Sequence, residues 1–101
     1  MDYSQMKPVA NNVADVMKTL AHPNRLLALC AMVDQDRSVG ELADNLGMRA
    51  QAMSQQLAIL RNKGLVTTRR DGQTIYYALA SDEIRQIMSV LYQTYCSKKQ
   101  A

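Results

Sequence analysis

The chain has no tryptophan or phenylalanine, and among its 101 residues it has only five tyrosines, two cysteines and one histidine. Proteins that bind single-stranded nucleic acid stack bases on exposed aromatic rings, so this composition argues against that class. No run of about 18 apolar residues is present, so we expect no membrane span and no membrane partner. The amino terminus lacks the basic start and apolar stretch of a secretory signal, so we expect a cytoplasmic protein.

Sequence patterns of enzyme catalysis are also missing. The chain has no Cys-x-x-Cys pair, no recognisable nucleophile–base set and no glycine-rich loop that would hold phosphate groups. We therefore expect a protein that is not an enzyme and carries no cofactor. A thiol redox enzyme is the alternative from another class, and turnover of a disulfide substrate would support it.

Positive charge is concentrated in one segment, residues 49–73. This segment holds five of the twelve basic residues and one of the nine acidic residues, and the rest of the chain holds seven basic and eight acidic residues. The net charge of +3 conceals this concentration. A basic stripe of this kind is typical of a protein that binds duplex DNA. Its basic residues are Arg49, Arg61, Lys63, Arg69 and Arg70.

Apolar periodicity, caps and turn signals predict four helices, a hairpin and a fifth helix. Ser38 and Glu41 have the spacing of a capping box, and Gly47 is suited to end the helix that they begin. This order predicts a mainly α fold with a β-hairpin wing, a winged helix-turn-helix, in one domain of residues 1–101 with flexible tails at 1–8 and 97–101. The predicted helices are 9–20, 23–33, 39–46, 50–62 (or to 63) and one that begins after Ser81, and the predicted strands are 65–70 and 74–79, joined by Asp71-Gly72.

The fourth predicted helix has the features of a helix that reads DNA. Its apolar face, Ala50, Met53, Leu57 and Leu60, is expected to lie in the core. The opposite face carries amides and a hydroxyl, which suit hydrogen bonding to base edges in a major groove about 12 Å wide. We expect base contacts from Gln51, Ser54 and Gln55, and phosphate contacts from Arg49, Arg61 and Lys63. The wing residues Arg69, Arg70 and Gln73 are expected to reach phosphates or the neighbouring minor groove, and Ser38 is a further expected DNA-binding residue.

Two simpler interpretations remain open for these residues. The polar face can be the solvated side of an amphipathic helix, and the arginines of the hairpin can protect an exposed strand edge from aggregation. The capped helix before this face, the basic hairpin after it and its lack of acidic residues favour DNA binding.

Several motifs make the chain resemble the ArsR/SmtB family of bacterial repressors over about residues 13–96. The resemblance implies a dimer assembled through the first and last helices, bound to an inverted repeat in an operator and released by an inducer. One departure is Gln56, where many relatives carry His. The motifs are Ser54-Gln55-Gln56-Leu57-Ala58-x-Leu60-Arg61-x-x-Gly64-Leu65-Val66, Arg69-Arg70-x-Gly72, Tyr76-Tyr77-x-Leu79, Ala21-x-Pro23-x-Arg25-Leu26 and Ser38-Val39-x-Glu41-Leu42.

Many members of that family sense metals through cysteines of the third helix or through Asp and His ligands of the last helix. Here the third predicted helix has no cysteine and the last has no histidine. Zinc and softer metals prefer several thiolate and imidazole ligands, so we expect no metal site. We expect the single histidine, His22, to cap a helix or pack in the core. A metal-responsive repressor remains the less favoured alternative.

Cys30 and Cys96 fall on the second and last helices, which resembles the dithiol subgroup of the family. The resemblance implies that reactive sulfur species link the two thiols by a disulfide or a longer sulfur bridge, that the repressor then leaves its DNA, and that sulfide-handling genes are controlled. A general oxidant sensor, or a regulator of virulence or biofilm genes with the same thiols, is an alternative. The two cysteines can also be isolated, buried small hydrophobic residues.

Overall fold

A computed structural model describes residues 1–96 of the chain. The order of elements confirms a mainly helical winged helix-turn-helix, with four helices, a hairpin and a fifth helix. The predicted tail 97–101 lies outside the described residues. The helices are α1 (Ala10–Leu20), α2 (Pro23–Ala31), α3 (Val39–Leu46), α4 (Ala50–Asn62) and α5 (Asp82–Tyr95), and the strands are β1 (Arg37–Ser38), β2 (Val66–Asp71) and β3 (Thr74–Leu79).

The sheet has three antiparallel strands in the order β1-β3-β2, one more than the sequence predicts. The additional strand, β1, pairs Arg37 with Tyr77 across the sheet. The hairpin turn is also displaced by one residue, because Asp71 pairs with Thr74 and leaves Gly72 and Gln73 as the loop. Gly72 has a φ of 65°, as the first loop residue of a type II′ hairpin requires.

One apolar core joins all five helices to the hairpin. Three side chains of α4, those of Met53, Leu57 and Leu60, are completely buried in it, as the sequence predicts. Ala50 was expected beside them, but it is exposed, because it is the first residue of α4 and lies at the open end of the helix. The second helix ends at Ala31, two residues before its predicted end.

The first eight residues are expected to form a loose tail, and the structure instead has short 3₁₀ turns at Tyr3–Gln5 and Lys7–Val9. The Asp2 carboxylate accepts hydrogen bonds from the Ser4 backbone and hydroxyl, at 2.9 and 2.6 Å, and these bonds lower the pKa of Asp2. No residue of either turn is buried. Within residues 1–96, no helix has both the length and the apolar character that crossing a bilayer requires.

Candidate DNA-binding surface and thiol groove

The outer face of α4 presents the three residues that are expected to contact bases. Gln51, Ser54 and Gln55 are all exposed, and their spacing of three and four residues places them on one side of the helix. The buried residues of α4 hold the opposite side in the core. The helix can therefore approach a duplex through these polar groups without losing any of its apolar packing.

Basic side chains lie at both ends of α4. Arg49 is the N-cap residue, and Arg61 and Lys63 lie in the last turn and at the C-cap. Within residues 1–96, Arg49 and Arg61 form no ion pair, whereas the Lys63 Nζ lies 3.3 Å from a carboxylate oxygen of Asp15 in α1. Both members of that pair are about half exposed, and such pairs hold long side chains only weakly. Arg49 and Arg61 could therefore contact phosphates without breaking an ion pair, whereas Lys63 would first have to break its pair with Asp15.

The two arginines of the wing occupy different environments. Arg69 lies opposite Tyr76 in the register, with its guanidinium carbon 4.7 Å from the ring centre, and its Nε donates a 2.9 Å hydrogen bond to Asp36. That bond raises the pKa of Arg69. Successive residues of a strand point to opposite faces, so the next residue, Arg70, points away from this cluster and is exposed. Gln73 is exposed in the loop at the tip of the wing.

Ser38 begins α3 through a complete capping box. Its hydroxyl oxygen accepts the Glu41 N–H at 3.2 Å, and its own N–H donates to the Glu41 carboxylate at 3.0 Å. The second bond is the main reason that the pKa of Glu41 is lowered. Ser38 was expected to contact DNA as well as to cap α3, and the structure places it at the entry to the helix-turn-helix with its side chain in the cap.

Both cysteines are exposed and line one apolar groove between α2 and α5. The groove has a volume of about 290 Å³. The Arg85 guanidinium of α5 donates to the Val33 carbonyl, which follows α2, and so joins the two elements that bear the thiols. Two isolated, buried cysteines do not fit this arrangement. The lining residues are Leu26, Leu27, Cys30, Met88, Leu91, Tyr92, Tyr95 and Cys96.

His22 and the acidic residues offer no metal centre in the described part of the chain. The His22 Nδ1 accepts the Asn24 N–H at 3.2 Å and caps α2, which is one of the two roles that the sequence predicts. Among residues 1–96, no three His, Cys, Asp or Glu side chains are grouped closely enough to hold a metal ion.

Sequence reasoning missed a polar contact between α2 and α4. The Arg25 guanidinium donates from Nε to the Thr19 carbonyl at 2.7 Å and from Nη1 to the Gln56 Oε1 at 3.1 Å. Gln56 is therefore turned toward α2 and away from the exposed face of α4. A signal was present, because a polar residue between Met53 and Leu60 on an apolar helix face requires a hydrogen-bond partner.

Comparison with known proteins agrees with this geometry. The model of the family "Bacterial regulatory protein, arsR family" matches residues 22–68, which include α2, α3, α4 and the start of β2. The Biofilm growth-associated repressor of Xylella fastidiosa is 39% identical over 99 residues, which cover 98% of this chain and 87% of that protein. The chain belongs to the ArsR family. It is therefore a DNA-binding transcriptional regulator and not an enzyme.

Solved structures of bacterial transcriptional regulators superpose closely on this chain. BigR, a transcriptional repressor from Xylella fastidiosa, has a TM-score of 0.88 at 41% identity and covers 95% of this chain and 98% of its own. Reduced HlyU from Vibrio cholerae has a TM-score of 0.86 at 38% identity, and the match covers 91% of this chain and 97% of HlyU. A third structure is the homodimeric winged helix-turn-helix DNA-binding domain of Mb0332 from Mycobacterium bovis, with a TM-score of 0.79 at 27% identity. The match covers 99% of this chain and 91% of that domain.

Proposed function

We propose that this ArsR-family protein is a cytoplasmic, homodimeric repressor that binds an inverted repeat in operator DNA and leaves it when Cys30 and Cys96 become linked. The observation that carries the thiol part is that both exposed cysteines line the same groove between α2 and α5. The DNA-binding part is supported by the exposed polar face of α4 and by Arg49 and Arg61 at its ends, which form no ion pair within residues 1–96.

Base reading is assigned to Gln51, Ser54 and Gln55. Glutamine can make two hydrogen bonds with adenine, and serine can bond to several base edges. We assign phosphate contacts to the cations around this face, because backbone contacts fix the position of a protein on a duplex without reading sequence. We assign Arg70 and Gln73, which are exposed on the wing, to further contacts with phosphates or the adjacent groove.

The dimer is assigned to α1 and α5. Both helices expose apolar side chains that a free surface would leave in water, including Val13 and Met17 of α1 and Val90 of α5. Burying such side chains between two copies is favourable, and it would place two α4 helices on one duplex. The homodimeric state of the Mycobacterium bovis relative supports a dimer, and the choice of α1 and α5 rests on their exposed apolar side chains.

The proposed switch follows the chemistry of thiol–disulfide exchange. One thiolate attacks the terminal sulfur of a small persulfide, RSSH, and the thiolate RS⁻ leaves, so the protein sulfur now carries an extra S–H group. The second thiolate attacks the protein sulfur of this group and releases hydrosulfide, which leaves a disulfide between Cys30 and Cys96. In balance, two thiols and RSSH give one disulfide, RSH and H₂S, and a second RSSH would add one sulfur atom to the bridge and release a second RSH.

A bond between the two thiols would fix α5 against α2. Because α5 is also assigned to the dimer interface, the bond would change how the two copies hold their α4 helices. Both thiols line this groove, so a link of two or more sulfur atoms is the bond proposed to cross it. HlyU from Vibrio cholerae has been solved in a form called reduced, and this description fits a proposal in which the oxidation state of the thiols controls the protein.

The experiment treats the reduced protein with glutathione persulfide and, separately, with hydrogen peroxide, and then measures the intact mass and the release of an inverted repeat selected from a random duplex library. We expect persulfide to link Cys30 to Cys96 by a disulfide or by a bridge with added sulfur atoms, and to release the DNA. If only peroxide links the thiols, the assignment to reactive sulfur species, and with it the control of sulfide-handling genes, is wrong.

A second candidate is a general oxidant sensor that controls biofilm or virulence genes. The observation that favours it is the similarity to the Biofilm growth-associated repressor and to the Transcriptional activator HlyU, which is 37% identical over 100 residues. Peroxide would act by oxidising one thiolate to a sulfenic acid, and the other thiol would then displace water to form the disulfide. Release of DNA by peroxide, with no response to persulfide, would identify this candidate.

A further inference from the structure

Arg25 joins three helices through one side chain. It lies in α2 and is half-buried. Its Nε donates to the Thr19 carbonyl in the last turn of α1, at 2.7 Å, and its Nη1 donates to the Gln56 Oε1 in the middle of α4, at 3.1 Å. Thr19 is one of the last residues of α1, whose final carbonyls have no partner within the helix. The guanidinium therefore caps α1 and holds α4 with the same planar group.

A second connection between α1 and α4 lies two turns further along α4. The Thr19 Oγ1 donates to the Asp15 carbonyl one turn earlier in α1, and the Asp15 carboxylate pairs with the Nζ of Lys63, at the end of α4. Gln56 and Lys63 are about 10 Å apart along the helix axis. In the free protein the two attachment points together restrict the angle between the helices, and the Arg25 contact remains when Lys63 leaves Asp15 for a phosphate.

The two connections differ in strength. Lys63 and Asp15 are exposed, so their pair is screened by solvent and contributes little. The Arg25 bonds are partly buried and charge-assisted, and bonds of that kind are shorter and stronger than neutral ones. Arg25 and Gln56 are therefore the main connection, and Lys63 adds the second point.

We propose that Arg25 and Gln56 form a polar strut that positions the reading helix α4 relative to the dimer helix α1, and so sets the spacing between half-sites that the dimer accepts. This inference rests on the proposed dimer and on the proposed base-reading role of α4. Each copy carries its α4 on its own α1, so the α1–α4 angle determines the separation and the rotation of the two reading helices. Gln56 is a positioning residue, and it does not contact a base.

The test measures affinity for inverted repeats of the selected half-site, in which the spacer is lengthened or shortened by one and two base pairs. Each added base pair moves a half-site by about 3.4 Å and turns it by about a tenth of the helical repeat. We expect wild-type protein to lose affinity steeply when the spacer changes. Arg25→Lys and Gln56→Leu should each reduce that discrimination by about tenfold, with affinity for a single half-site unchanged.

Two further variants separate positioning from general destabilisation. Gln56→Glu keeps an oxygen acceptor for Arg25 and should retain the wild-type spacer profile even where Gln56→Leu folds poorly. Arg37→Lys is the matched control, because the Arg37 Nε also donates to a carbonyl at a helix end, that of Ala31, at 3.0 Å. It should keep the wild-type profile.

The outcomes distinguish the strut from the function on which it rests. A flatter spacer profile in Arg25→Lys and Gln56→Leu, but not in Gln56→Glu or Arg37→Lys, supports the strut. A steep wild-type profile that both strut variants retain overturns it alone. A wild-type protein that accepts all spacers equally overturns the proposed binding of an inverted repeat by two fixed reading helices, and the strut with it.

Discussion

At the scale of single residues, neighbouring arginines of the wing have different surroundings because a strand turns successive side chains to opposite faces. Arg69 is held by Asp36 and by the ring of Tyr76, which joins the middle of the wing to the segment before α3. Arg70 is exposed and has no ion-pair partner within residues 1–96. Of the two, Arg70 is the one that can approach a phosphate without giving up an existing contact.

For Arg70→Ala we expect weaker binding to the operator and to random duplex by a similar factor, because a phosphate contact carries no sequence information. The slope of log affinity against log salt should fall by about one. Titrations of both duplexes at several salt concentrations measure this. An unchanged slope would show that Arg70 does not contact a DNA phosphate.

Gln55→Ala should act differently, because Gln55 lies on the exposed face of α4 that is proposed to read bases. We expect a loss of about 1 to 3 kcal/mol on the operator and a smaller loss on random duplex, so that base preference relaxes at one position. Competition between operators that differ at single positions measures the preference. A preference identical to that of the wild type would show that Gln55 belongs only to the solvated face of the helix.

At the scale of elements, α3 depends on its capping box. The Ser38 N–H bond holds the pKa of Glu41 below its ordinary value of 4.5, so folding favours the charged carboxylate. A lowered pKa in the folded state stabilises the protein above the ordinary pKa, and this stabilisation is lost as the pH falls through the lowered value.

We therefore expect Glu41→Gln to reduce the loss of stability that acid causes in the wild type. Urea denaturation at a series of pH values below neutrality gives the free energy of unfolding for both proteins. Glu83→Gln, which removes an acid from the first turn of α5 but breaks no capping box, is the control. If the free energy of unfolding falls with pH in the same way in both variants, the capping box does not stabilise the charged Glu41 carboxylate.

Long periodic elements could be predicted from the sequence, whereas short non-local ones could not. The core face of α4 follows from the spacing of Met53, Leu57 and Leu60, and the cap of α3 follows from Ser38 and Glu41. The strand Arg37–Ser38 has only two residues, too few for any period, and exists because a distant strand pairs with it. The bond between Arg25 and Gln56 depends in the same way on packing between helices that are far apart in sequence.

At the scale of the whole molecule, the exposed apolar side chains of α1 and α5 form the proposed dimer surface. Met17→Glu would place a charge among them, and we expect it to shift the dimer toward monomer and to weaken operator binding with it. Asn11→Glu adds the same charge to another, exposed side of α1 and should leave the dimer intact. Sedimentation equilibrium of both variants measures the change, and a stable Met17→Glu dimer would exclude this face of α1 from the interface.

The central claim, that the thiols in the groove between α2 and α5 control binding to DNA, is tested most directly by operator affinity. The affinity is measured for reduced protein before and after glutathione persulfide, in the wild type, in Cys30→Ser and in Cys96→Ser. We predict that persulfide weakens binding by the wild type, that both variants bind as tightly as the reduced wild type, and that neither responds. Equal affinity of the wild type before and after treatment, or an undiminished response in either variant, would contradict the account.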